Sequence, residues 1–139
     1  MKRFEYTFNA PPYSLHDMPV RFSVRGDSLT LVTEYGMTVT DGSGMTREGS
    51  VEFTGLDWDF CCAYILPSGG HCGVFTGEKL PLAELLQREP ELRLDVMDEH
   101  FGYRSARFDG FADLGGELRE LAVELFFNGA MAYLAPDAD

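Results

Sequence analysis

The chain has 139 residues, 45% hydrophobic and 13% aromatic, which is enough apolar material for one core and too much for a disordered chain. Lys and Arg total 11 against 23 Asp and Glu, and the net charge of -12 opposes attraction to phosphate backbones and anionic lipid, so neither nucleic acid nor a membrane is an expected partner. The longest apolar run, Phe60 to Leu66, stops at Pro67, far short of the roughly 20 residues of a membrane span.

No repeat or linker-like stretch divides residues 1–139, so a single β-rich domain is expected. Phe4, Tyr6 and Phe8 alternate with polar residues as a half-buried strand, which Pro11-Pro12 ends. Val20, Phe22 and Val24, then Gly26-Asp27, then Leu29 and Leu31 read as a hairpin in which Val24 faces Leu29 and Phe22 faces Leu31, with Arg21 and Arg25 on the other face. Tyr35-Gly36-Met37 predicts a bend or bulge, and Asp41-Gly42-Ser43-Gly44 a loop joining Thr38-Val39-Thr40 to a strand over 49–53.

Trp58 to Leu66 reads as a central strand covered on both sides, with Trp58, Phe60, Cys62, Tyr64 and Leu66 sharing a face. Pro81 to Glu89 is the expected helix, with Leu82, Leu85 and Leu86 as its apolar stripe and Pro90 blocking continuation. Strands follow at Leu92 to Met97 and at Tyr103 to Phe111, the second with a bulge at Gly110. The segment 117–127 also fits a helix, but the alternation of Leu121, Val123, Leu125 and Phe127 favours a strand, and Asn128-Gly129 predicts a hairpin into Ala130 to Ala135. The pattern is mostly β, at the α+β boundary: an antiparallel β-barrel or β-sandwich of about eight to ten short strands with one short helix.

Candidate chemistry is sparse. Glu5, Thr7 and Asn9 break any secretion signal, and an odd set of cysteines, Cys61, Cys62 and Cys72, suits reduced thiols, so a cytoplasmic location is expected. Cys61 and Cys62 point to opposite strand faces and no Cys-x-x-Cys occurs, which argues against a metal. His71-Cys72 diverge in an extended segment, so no catalytic residue is assigned there. Asp95, Asp98, Glu99 and His100, with Asp109 and Asp113 close behind, read as a solvated connection, and Asp57 and Asp59 as the polar face of a strand entry. Gly69-Gly70 and Gly115-Gly116 lack the context of phosphate loops, and no cofactor fingerprint is present.

Three readings follow. A noncatalytic binding or regulatory domain comes first, with a small apolar or aromatic ligand lined by Trp58, Tyr64, Tyr35, Tyr103 and Tyr133. A protein-interaction module, an inhibitor or antagonist docking a basic partner through its acidic surface, comes second. A hydrolase or metal enzyme around His100 and its carboxylates is third. The one arrangement that could form a basic patch is a cluster of Arg21, Arg25, Arg104 and Arg107.

Overall fold

A computed structural model describes residues 1–6, 11–66 and 77–137. The expected strand position at Phe8, the pair Gly69-Gly70 and His71-Cys72 lie outside the described residues. Along the chain come β1 (Lys2–Glu5), β2 (Tyr13–Ser14), β3 (Pro19–Arg25), β4 (Ser28–Thr33), β5 (Met37–Val39), β6 (Thr46–Arg47), β7 (Ser50–Phe53), β8 (Cys62–Leu66) and β9 (Glu78–Pro81). The helix α1 (Leu82–Arg88) follows, then β10 (Arg93–Gly102), β11 (Ser105–Leu114), β12 (Glu117–Phe126) and β13 (Met131–Ala135). The fold is mostly antiparallel β with one short helix.

Ten strands make one sheet in the order β1-β13-β7-β4-β3-β10-β11-β12-β8-β9, and β2-β5-β6 make a second. The β3–β4 hairpin has the register its alternation demands, Val24 opposite Leu29 and Phe22 opposite Leu31. Gly26 supplies the positive φ of 60° that its two-residue turn needs. Leu29 and Leu31 are fully buried, whereas Val24, at the tip of the face, is 48% exposed.

Asn128-Gly129 is not a hairpin. β12 pairs with β11 and β8, while β13 pairs with β7 and β1. Between them Phe127 bridges Leu56, and the amides of Asn128 and Gly129 donate to the carbonyls of Gly55 at 2.7 Å and Thr54 at 3.1 Å. The chain therefore passes from β12 to β13 through a bend at Asn128-Gly129 and not a hairpin, because backbone partners distant in sequence satisfy its polar groups and override the local turn preference. A Cβ at Gly129 would overlap the Thr54 carbonyl, which explains glycine there without a tight turn. This contact also closes the sheet: the runs that follow β7 and β12 are bonded, so β7, β4, β3, β10, β11 and β12 form a barrel-like ring.

Side chains fill the ring. Phe53 packs its ring 6.1 Å from Phe108 and 5.4 Å from Phe127, centroid to centroid, among Leu31, Leu94, Val123 and Leu125, all fully buried. Tyr13 and Met37 of the second sheet, with Leu15, join this core, and Leu82 and Leu85 seat α1 on it. Gly36, at φ 93°, makes the expected bend before β5. The loop over 41–44 joins β5 to β6 rather than to β7, because Thr46–Arg47 folds back on Met37–Thr38.

Two further expectations change. β10 runs on to Gly102, so Asp98, Glu99 and His100 stand on a strand and not in a connection, and Tyr103-Arg104 form the turn into β11. The bulge lies on β10, where Met97 is the extra residue, and Gly110 is its opposite number, with its α-carbon against the Asp95 carbonyl. The extra residue flips the face pattern: Leu94 and Val96 point inward before it, Glu99 and Phe101 after it. The segment from Trp58 is also shorter as a strand than its apolar run implies. Phe60 N donates to Asp57 O and Cys61 N to Trp58 O, which makes a turn of 57–61. β8 is one strand from the sheet edge, and of its five residues only Ala63 is fully buried.

Candidate functional site

The outer face of β10, β11, β12, β8 and β9 carries the densest convergence of chemistry in the fold. Ladder pairing places His100, Arg107, Glu124 and Cys62 in one row across four strands. The next row holds Asp98, Asp109, Ala122, Tyr64 and Lys79. Because strand side chains alternate, both rows face away from the core.

Arg107 binds Asp109 through Nε at 3.0 Å and reaches Glu124 at 3.7 Å. His100 Nε2 lies 3.7 Å from Asp109 Oδ2. The Glu124 carboxylate beside the Tyr64 hydroxyl, aided by partial burial, raises the phenol above its ordinary value. Two cations flank the Tyr64 ring, Lys79 Nζ at 5.5 Å and the Arg107 guanidinium at 5.6 Å from its centroid.

Beside Tyr64 opens a cleft of about 510 Å³. Phe60 from the 57–61 turn and Phe126 from the end of β12 supply its aromatic wall, with Pro81, and Asp59, Lys79 and Glu124 supply its charges. Phe60 is 64% exposed and Phe126 38%, although a strand reading places Phe60 in the core. The turn forces it out. Cys61 and Cys62 are free thiols, and both border the cleft, Cys61 from the turn and Cys62 from the start of β8. Cys61 is buried with its sulfur against the Phe126 backbone, and burial raises its thiol, while Cys62 lines the cleft and points its Sγ at Phe60 O, 3.4 Å away.

The five aromatic residues expected to line a pocket are dispersed, and of them Tyr64 alone lines this cleft. Trp58 borders a separate apolar groove of about 420 Å³ with Val24, Ala83 and Leu86, its Nε1 donating to Gly26 O at 3.1 Å. Tyr35 is 69% exposed on the bend after β4. Tyr103 stands at the β10–β11 turn, beside a hollow of about 160 Å³, with the Arg104 guanidinium 5.3 Å from its ring centroid. Tyr133 is fully buried against Tyr13, with ring centroids 5.9 Å apart; its hydroxyl has no partner among the described residues, and desolvation raises it.

The carboxylate cluster is divided by the bulge. Glu99 turns inward, where Oε1 accepts from the Leu15 amide at 2.6 Å and Oε2 from the Ser14 hydroxyl at 3.0 Å, and burial raises its carboxyl. His100 turns outward, away from it. Asp57 and Asp59 occupy the turn and not a strand entry. Among the described residues no three His, Cys, Asp or Glu side chains converge as a metal ion requires. Of the four arginines, Arg21 shares Glu34 with Arg93, each at 3.0 Å, and Arg107 is held by Asp109. No known protein family, characterised protein or solved structure matches the chain.

Proposed function

We propose that this chain is a noncatalytic binding domain that takes a small apolar or aromatic molecule in the cleft between Phe60, Tyr64 and Phe126. The observation that carries the reading is the joint exposure of two phenylalanines beside a tyrosine whose ring stands between Lys79 and Arg107. Exposed aromatic surface of this kind costs free energy in water and gains it back when a planar ligand covers it, at about 25 cal/mol per Å² of apolar area removed from solvent. The volume of about 510 Å³ lies within the range of ligand clefts, roughly 300 to 1,000 Å³, and the few charged groups at the rim suit the task of orienting a guest. The Trp58 groove offers no such orienting groups beyond Gln87.

The test uses a property of the sequence. Trp58 is the one tryptophan and neighbours Asp59 of the cleft wall, so its emission transfers to an aromatic guest bound there. Titration with the neutral dye N-phenyl-1-naphthylamine, excited through Trp58, is expected to give saturable sensitised emission. Phe60→Ser with Phe126→Ser is expected to abolish it while leaving the urea midpoint nearly unchanged, since both side chains are solvent-exposed. Unaltered binding in that double variant contradicts the assignment.

A further inference from the structure

Resting on that reading of the cleft, we infer that its ligand is an anion, an aromatic or apolar carboxylate whose charge is met by Lys79. The two cations that flank Tyr64 differ in one respect. Arg107 is neutralised by Asp109 and Glu124. Lys79 has no carboxylate within ion-pair distance among the described residues; its one recorded contact is the face of Tyr64. Its sequence neighbour Glu78 is engaged by Arg88 at 2.9 Å. The stretch 67–76 that links β8 to β9 contains neither Asp nor Glu.

Lys79 is one of five basic side chains, with Lys2, Arg25, Arg47 and Arg104, that make no ion pair among the described residues, so its position and not the missing partner sets it apart. Lys79 stands at the rim of an aromatic-walled cleft, on an edge strand whose pairing fixes it opposite Tyr64. The cation–π contact holds the ammonium over the ring without using up its donors, so it is positioned for a second partner. Glu124 faces Arg107 at 3.7 Å, and neither it nor Asp59 lies within ion-pair distance of Lys79. A ligand that lays an apolar ring along Phe60 and Phe126 and ends in a carboxylate places its charge on Lys79, where partial exclusion of water strengthens the contact.

The experiment compares 2-naphthoate with its neutral counterpart 2-naphthamide by calorimetric titration into the full chain, beside the neutral dye above. Wild type is expected to bind the carboxylate about tenfold more tightly than the amide, the gain of one charge-assisted contact, and the difference is expected to shrink with added salt. Lys79→Gln is expected to reduce naphthoate to the affinity of naphthamide while leaving naphthamide and dye unchanged, and Lys79→Arg to restore most of the preference. Lys79 is exposed, so these variants keep the fold. Equal affinities for the two naphthalenes with the dye still bound overturn the anion assignment and leave the cleft standing. A preference that persists in Lys79→Gln also overturns it. Failure of all three molecules to bind removes the cleft reading and this inference with it.

Discussion

Glu99 shows how one side chain ties the second sheet to the barrel. Its carboxylate accepts from the Leu15 amide and the Ser14 hydroxyl, and that hydroxyl in turn accepts from the His16 amide. Burial raises its folded-state carboxyl above the ordinary value of 4.5, against the opposing pull of those bonds and of His16. The folded state therefore holds the proton more tightly than the unfolded state, and stability declines as pH rises from about 4.5 through the raised value. Glu99→Gln keeps an acceptor for Leu15 and removes the titration. Urea midpoints taken across the acidic range are expected to converge for the two proteins at low pH and to favour the variant increasingly above it; a constant offset contradicts the account. Leu125, fully buried, and Arg25, exposed on β3, make a second pair of tests. Leu125→Ala is expected to cost about 2 to 5 kcal/mol and Arg25→Ala less than about 1 kcal/mol, and equal shifts in urea midpoint would mean that the strand faces are wrongly assigned.

At the scale of elements, the join between β12 and β13 decides whether the ring closes. Gly129 lies against Thr54, so Gly129→Ala forces the two runs apart and is expected to cost about 1 to 3 kcal/mol, with faster exchange of the Asp57 and Asn128 amides, which donate across the join to Phe126 O and Gly55 O. Unchanged exchange there would show that the contact is not needed for closure. This join was also where local sequence misled. Alternation and turn chemistry placed the β3–β4 hairpin, the helix at Leu82–Arg88 and the strand character of Glu117–Phe126, because each depends on neighbours a few residues away. The direction taken at Asn128-Gly129 depends on Thr54-Gly55, and the inward turn of Glu99 on an inserted residue opposite Gly110, neither of which leaves a local trace. The cleft was half legible for the same reason. Tyr64 was among the aromatic residues expected to line a pocket, but Phe60 lay within an apolar run that reads as core, and Lys79 sits in a short stretch, Glu78-Lys79-Leu80, with too few residues to show a period. The alternating charge of Arg107 and Asp109 was a signal for an outward face that the reading of Tyr103 to Phe111 as a strand already contained.

Across the whole molecule, charge sets what can approach. The net charge of -12 opposes a phosphate backbone, and Arg21 and Arg107 are each ion-paired with carboxylates. Gel-shift titrations with DNA and RNA and flotation with anionic vesicles near physiological salt are expected to show no binding, and saturable, salt-sensitive binding lost on replacing those arginines would reverse that. Among the described residues no helix is long and apolar enough to cross a membrane. The same negative field weakens the approach of a small anion, which makes the local placement of Lys79 beside an aromatic wall the deciding feature for such a ligand. Amide chemical-shift mapping with 2-naphthoate is the most direct test of binding at Phe60, Tyr64 and Phe126. Saturable shifts confined to Asp59–Tyr64, Lys79–Leu80 and Glu124–Phe126 are the predicted result; shifts centred instead on Val24, Ala83 and Leu86, or none at millimolar ligand, would contradict it.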